Sequence, residues 1–92
     1  MLFVTLGVAR ASTTKARIAR RAQWQYPSGV KVVGEYWLMR PDPVLVLVSE
    51  ADTPEPILAA LADWDDLMDI TVTPAVTAEQ GLKAAAAMMA AQ

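Results

Sequence analysis

The chain has 92 residues, of which 54% are hydrophobic, and it contains neither cysteine nor histidine. These absences exclude disulfides, thiolate metal sites and a histidine-based catalytic triad, and they leave only carboxylates as zinc ligands. A net charge of −2 argues against a general nucleic-acid binder. A single domain of this size cannot easily hide so many apolar residues in a core of its own. We therefore expect an oligomer interface, a ligand cavity or both.

Charge is distributed unevenly along the chain. Seven of the eight basic residues lie within residues 1–41, and nine of the ten acidic residues lie from Asp42 onward. Two helices of opposite charge on one sheet would explain this pattern; the alternative is a basic docking face over residues 10–21. Residues 1–8 are apolar but lack the basic lead of a signal peptide, and no apolar run approaches the roughly 20 residues of a membrane span. We therefore expect a cytoplasmic protein that binds neither membranes nor nucleic acid.

Residues 1–8 form the first predicted strand, with apolar residues at the even positions and no charge on either face. A strand with two uncharged faces is expected in the middle of a sheet. The hydroxyl residues at 12–14 are suited to capping a helix that extends to about Tyr26. The helix is stopped by a Pro-Ser-Gly sequence at 27–29, and its thin, alanine-rich stripe predicts close packing on the sheet.

Residues 30–39 alternate as a second strand. The alternation places Lys31, Glu35 and Trp37 on one face and Tyr36 on the other. Glu35 is the one acidic residue in an otherwise apolar stretch. A buried carboxyl group there would have a raised pKa and would suit acid-base catalysis. The alternative is an ion pair with Arg21, Lys31 or a partner's arginine, or simple exposure at a sheet edge.

After a turn with two prolines, residues 44–50 form a third strand that is apolar at five consecutive positions, so both of its faces should be buried. A second helix is predicted from Thr53, its cap, to about residue 67. Residues 68–76 form a fourth strand, and Pro74 places it at a sheet edge because proline cannot donate a ladder hydrogen bond.

A last, alanine-rich helix follows a capping-box pattern at residues 77–80 and would pack on a partner or fray. The whole order is β-α-β-β-α-β plus a C-terminal helix over residues 1–92, which predicts one ferredoxin-like α+β domain. Right-handed crossovers put both main helices on one face of a four-stranded antiparallel sheet with strand order 4-1-3-2. The opposite face is left open, and a homodimer with two sheets packed face to face covers it most simply.

This chain resembles the dimeric α/β-barrel superfamily, which includes muconolactone-isomerase-like proteins, cofactor-free quinone-forming monooxygenases, GYD domains and uncharacterised bacterial and archaeal families. The resemblance is carried by Gly29-Val30-Lys31, Gly34-Glu35-Tyr36-Trp37, Trp64-Asp65-Asp66-Leu67-Met68-Asp69 and Thr73-Pro74-Ala75-Val76. It implies a homodimer and a ligand cavity between the sheet and the helices of each protomer. Haem-using relatives rely on a histidine, which this chain lacks, so we expect no cofactor and no metal.

The candidate catalytic residue is Glu35, and the candidate pocket residues are Tyr36, Trp37, Trp64, Asp69 and Thr5. Aromatic side chains suit a flat apolar ligand, although they also fill cores and interfaces. Tyr36 and Trp37 are neighbours in a strand, so at most one of them enters the pocket. Asp69 would cap, pair or act in catalysis, and Thr5 would offer a hydroxyl together with Thr71 and Thr73.

Two functions follow from these residues. The first is a homodimeric small-molecule binding or structural module with a small apolar cavity. The second is a cofactor-independent isomerase, cyclase or monooxygenase acting on an aromatic or polyketide-like substrate, with Glu35 as acid or base and Trp37 or Trp64 as a wall. The environment of Glu35 distinguishes them, because an acid-base catalyst needs this carboxyl group in the cavity with a raised pKa.

Overall fold

The computed structural model describes residues 1–91, and within them three helices accompany a sheet of four antiparallel strands. The elements in chain order are β1 (Leu2–Ala9), α1 (Thr14–Gln23), β2 (Lys31–Trp37), β3 (Leu45–Glu50), α2 (Glu55–Ala62), β4 (Met68–Ala75) and α3 (Ala78–Ala90). The strand order is β2-β3-β1-β4. This confirms the ferredoxin-like α+β fold and places the proline-containing strand β4 at an edge.

The central strand β1 pairs with both β3 and β4 and turns Phe3, Thr5 and Gly7 toward the helices. The backbone of Gly7 is closely covered, because a Cβ atom would come within 2.9 Å of Met68 Sδ and 3.3 Å of Leu45 Cβ, and a larger residue would have to displace the Met68 side chain. Apart from Leu47, the buried apolar residues of the core form two clusters. One contains Phe3, Ala51 and Ile57, and the other contains Trp64, Leu67 and Met68.

Both main helices end earlier than their sequence patterns predict. Helix α1 ends at Gln23 because Trp24 takes an extended backbone, with φ −92° and ψ 143°. Helix α2 ends at Ala62, and the following residues form turns in which the Leu67 N–H donates to the Trp64 carbonyl at 3.0 Å. The capping box of α3 is present as predicted, with Thr77 and Gln80 bonded reciprocally.

A β-bulge in β2 changes which residues share a face. Val32 lies opposite Ser49 and Gly34 opposite Val48, so Val33 is an extra residue in the ladder. One inserted residue reverses the alternation, and the prediction that Lys31 shares a face with Glu35 and Trp37 is therefore wrong. Lys31 instead lies opposite Glu50 and approaches its carboxylate at 3.9 Å.

The face of the sheet that points away from the helices is apolar at its centre. We call it the open sheet face and define it by Val4, Leu6, Tyr36, Val46 and Val48, which the strand registers place side by side. All five are half-buried or exposed, with Leu6 39% and Tyr36 58% accessible. None of the residues of helix α3 is buried. Within residues 1–91 we find no helix that combines the length and apolarity needed to cross a bilayer.

Candidate functional site

A cavity of about 660 Å³ lies between the sheet and helices α1 and α2. Its walls are the inward-facing residues of all four strands, one side of each helix, and the loops that follow β1 and β2. The lining is mainly apolar and includes Ile18, Leu38, Leu47, Leu61, Ile70 and Val72. Its volume lies in the range of about 300–1,000 Å³ that is typical of small-molecule pockets.

One carboxylate, Glu35, lies on the cavity wall and accepts hydrogen bonds from three side chains. Arg21 binds it in a bidentate manner, with Nε 3.0 Å from Oε2 and Nη2 3.0 Å from Oε1. The Trp37 indole donates to Oε2 at 2.7 Å, and the Tyr26 hydroxyl donates to Oε1. Only 15% of the Glu35 side chain is exposed. We call Arg21, Tyr26, Glu35 and Trp37 the carboxylate cluster.

The carboxylate cluster fixes the charge state of its members. Burial by itself would raise the pKa of Glu35, but the hydrogen bonds from Arg21, Tyr26 and Trp37 favour the ionised form and leave that pKa below its usual value. Burial and the neighbouring carboxylate raise the pKa of Tyr26. The hydrogen bond to Glu35 raises the pKa of Arg21. At neutral pH, Glu35 is therefore an ionised acceptor and Tyr26 a neutral donor.

The end of α1 and the segment after it hold the carboxylate cluster in place. Arg21 lies in the last turn of α1 and also donates to the Trp24 carbonyl at 3.2 Å. The Trp24 ring packs edge-on against Tyr26 at 4.7 Å and against Trp64 at 5.6 Å between centroids. The Trp24 indole donates to Asp63 Oδ2 at 2.8 Å. These contacts fasten the α1–β2 connection to the turn after α2.

Nearly the whole chain matches one known protein family. A family model described as a domain of unknown function, DUF3303, matches residues 1–89. The chain belongs to the DUF3303 family. No curated protein and no solved structure matches the chain. A relation to the GYD-domain or muconolactone-isomerase-like groups stays a prediction.

Four of the six predicted site residues of this DUF3303 domain line the cavity. They are Thr5, Glu35, Trp37 and Trp64. Trp64 is a buried part of the wall, at 7% exposure, whereas Trp37 is 55% exposed and lies at the edge of the cavity. The prediction that Tyr36 and Trp37 cannot both enter agrees with this placement.

Tyr36 and Asp69 do not line the cavity, so the structure corrects these two pocket assignments. Tyr36 lies on the open sheet face because it alternates with Glu35 and Trp37. Asp69 is exposed on the same side of the sheet and binds Arg10 Nη2 at 3.0 Å. Thr71 and Thr73 also lie on this side and so do not join Thr5, which is opposite Val72 in the ladder.

Sequence reasoning missed Tyr26 as a site residue and named Arg21 only as one possible partner of Glu35. A signal for an arginine partner exists, since Glu35 is the only acidic residue among seven basic residues within residues 1–41. Tyr26 gives no such signal, because its expected helical position differs from its true position in the connection after α1. Among residues 1–91 no group of three or more acidic side chains is arranged to hold a metal ion.

Proposed function

We propose that this DUF3303 domain is a homodimeric binding module for a small, mainly apolar molecule that occupies the cavity between the sheet and the helices. The observation that carries the proposal is the cavity itself: about 660 Å³, lined mainly by apolar side chains, with the hydrogen-bonded carboxylate of Glu35 on its wall. Binding sites for small molecules share this combination of apolar walls and a few oriented polar groups.

The state of Glu35 supports binding over acid-base catalysis. Its carboxylate is held by Arg21, Tyr26 and Trp37, and its pKa is lowered. A general base for an isomerase, cyclase or monooxygenase works best with a pKa near the working pH, which for a carboxyl group requires a raised value. Glu35 fits a positioning role instead, because it orients Arg21 and the rings of Tyr26 and Trp37 along one wall.

The open sheet face supports the homodimer. Val4, Leu6, Tyr36, Val46 and Val48 place a continuous apolar surface on the outside of the protomer. Burial of such a surface is favourable by about 25 cal/mol per Å² of apolar area. A two-fold axis brings the same patch of a second copy onto it, and each copy then covers the apolar surface of the other.

Two phenylalanine substitutions on α2 test the cavity. Ala60 lines the cavity, whereas its neighbour Ala59 is exposed and does not. In Ala60→Phe the new ring would fill part of the cavity, and we expect binding of the neutral fluorescent probe N-phenylnaphthylamine to weaken by at least tenfold. Ala59→Phe adds the same ring outside the cavity and should bind the probe as the unaltered protein does. Probe fluorescence measured in a titration gives each affinity.

Equal binding by the two variants, or no binding by the unaltered protein, would contradict the cavity as the binding site. Circular dichroism of both variants establishes that a loss of binding is not a loss of folding. A probe that binds Ala60→Phe normally would have bound elsewhere, for example on the open sheet face.

A further inference from the structure

The charged residues that line the cavity are almost all arginines. Arg10, Arg17, Arg21 and Arg40 line it, together with a single carboxylate, Glu35. The whole chain, by contrast, has a net charge of −2. Arg21 is neutralised by Glu35, and Arg10 is paired with Asp69. The wall of the cavity therefore carries more positive than negative charge, although the chain as a whole is acidic.

Arg17 and Arg40 have no acidic partner among residues 1–91. Arg17 is half-buried, and its Nε and Nη2 donate to the hydroxyl oxygens of Thr13 at 3.1 Å and Thr14 at 3.2 Å. A guanidinium group has five N–H donors, so most of those of Arg17 are available to a ligand. The two threonines fix the orientation of the Arg17 side chain without neutralising its charge.

The backbone brings the two unpaired arginines to the same end of the cavity. The Ala9 N–H donates to the Pro41 carbonyl at 2.8 Å, and the Val44 N–H donates to the Gly7 carbonyl at 2.7 Å. These bonds fasten the loop that carries Arg40 to the end of β1. The same end of β1 leads through residues 10–12, which also line the cavity, into the first turn of α1. Arg17 is the fourth residue of that helix.

We propose that the ligand is an amphipathic anion, a molecule with an apolar, ring-sized body and one carboxylate, sulfonate or phosphate group. The apolar body occupies the cavity beside Trp64, and Arg17 and Arg40 bind the anionic group at the end of the cavity near the loops after β1 and β2. This inference rests on the proposed binding function and adds the chemical class of the ligand. An arginine can donate two parallel hydrogen bonds to such an oxyanion. Arg40 is exposed and Arg17 is half-buried, so the anionic group lies toward the solvent and the apolar body lies deeper in the cavity.

A pair of probes with the same rings isolates the contribution of charge. Anilinonaphthalene sulfonate carries one negative charge, whereas N-phenylnaphthylamine is neutral. We expect Arg17→Gln to lower the affinity for anilinonaphthalene sulfonate by about tenfold and to change the affinity for the neutral probe by less than about twofold. The reason is that only the sulfonate forms a charge-assisted hydrogen bond with Arg17. Arg40→Gln should act in the same direction, and the double variant should exceed either single one.

Lys15→Gln is the matched control. Lys15 lies on α1 close to Arg17 and carries the same charge, but it is exposed and does not line the cavity. The substitution removes one unit of charge from the same helix and should change the affinity for either probe by less than about twofold. If Lys15→Gln weakens the sulfonate as much as Arg17→Gln does, the effect is that of a general basic surface and the proposal is wrong.

The experiment also separates this inference from the proposed function. Ala60→Phe could lower the affinity for the neutral probe while Arg17→Gln and Arg40→Gln leave the affinity for the sulfonate unchanged. In that case the cavity binds apolar molecules and the proposal of an anionic ligand is wrong. If Arg17→Gln weakens both probes equally, Arg17 maintains the shape of the cavity and the anion assignment is again wrong. If neither probe responds to Ala60→Phe, the proposed function itself fails.

Discussion

The two faces of the sheet are built from alternate residues of the same strands, yet one borders an unfilled volume and the other leaves apolar surface uncovered. On the face toward the helices, the polar groups of the carboxylate cluster are hydrogen-bonded, but a volume of about 660 Å³ is not filled by side chains. On the open sheet face, the side chains lie beside one another, but apolar surface is uncovered. An unfilled volume favours a small molecule, whereas uncovered apolar surface favours a second protein chain.

The largest expected effect comes from placing a charge on the open sheet face. Leu6→Asp puts a carboxylate at the centre of the proposed dimer interface, twice in each dimer. Burying an unpaired carboxylate costs several kcal/mol, so we expect the dimer to weaken by about a thousandfold or more. Light scattering over a dilution series should give the mass of a dimer for the unaltered protein and that of a monomer for the variant.

Leu58→Asp is the control for this change. Leu58 is also exposed, at 59%, but it lies on α2 and therefore on the other side of the sheet. Its substitution should leave the mass unchanged. A monomer for the unaltered protein at all concentrations would contradict the homodimer, and so would a dimer that Leu58→Asp disrupts and Leu6→Asp does not.

The next largest effect concerns the wall of the cavity. Trp64 is buried and packs edge-on against Trp24, with Arg20 5.4 Å from the centre of its ring. Trp64→Ala removes these contacts and enlarges the cavity, and we expect the free energy of unfolding to fall by about 3 to 4 kcal/mol. Urea denaturation at one fixed protein concentration measures the change.

Trp37→Ala makes the comparison sharper, because Trp37 also lines the cavity but is 55% exposed. Trp37→Ala should lower the free energy of unfolding by roughly 1 kcal/mol, mainly because the hydrogen bond from the Trp37 indole to Glu35 is lost. If both substitutions lowered the free energy of unfolding by similar amounts, the buried Trp64 would not contribute more to stability than the exposed Trp37.

A smaller effect, and one that depends on pH, is expected for Glu35→Gln. The variant keeps the shape of the side chain and loses its charge, so at pH 7 the free energy of unfolding should fall by about 1 to 2 kcal/mol. The folded protein holds the pKa of Glu35 below the ordinary value of 4.5, so the ionised group stabilises the fold above that pH. This contribution is lost as the pH falls from 4.5 through the lower pKa of the folded state.

The difference in stability between the unaltered protein and Glu35→Gln should therefore be constant above about pH 5.5 and shrink toward acid pH. Glu79→Gln, at an exposed position on α3, should not reproduce it. A difference that grows on acidification would show that the carboxyl group is bound in its neutral form, and Glu35 would again be a candidate general acid.

Much of the fold could be predicted from the sequence because its signals are local. Alternating apolar residues marked the strands, and right-handed crossovers predicted the strand order, with which the uninterrupted apolar run of β3 and the edge position of Pro74 agree. The bulge at Val33 could not be predicted, since valine favours a strand whether or not the ladder has an extra residue. The ends of α1 and α2 depend on tertiary contacts, such as those of Trp24, that no local pattern records.

The site could be predicted only in part, for a related reason. Alternation along a strand correctly paired Glu35 with Trp37 and separated both from Tyr36. Which face of the sheet the helices cover is decided by the chain as a whole, and this is why Tyr36 and Asp69 were assigned to the cavity although they lie on the other side. The contact of Tyr26 with Glu35 depends on where α1 ends, so an error in a helix boundary became an error in the site.

The smallest expected effect is a gain of stability when a buried hydroxyl group without a hydrogen-bond partner, on the face toward the helices, is removed. Ser49 is fully buried in β3, and its hydroxyl has no hydrogen-bond partner among residues 1–91. An unsatisfied buried hydroxyl costs about 1 to 3 kcal/mol, so Ser49→Ala should raise the free energy of unfolding by about 1 kcal/mol once the small loss of packing is included. Ser28→Ala, at an exposed turn position, should leave it unchanged in the same urea titration. A loss of stability in Ser49→Ala would mean that the Ser49 hydroxyl forms a hydrogen bond in solution. The face toward the helices would then have no unsatisfied hydroxyl at this position, and the difference between the two faces would be the unfilled volume on one and the uncovered apolar surface on the other.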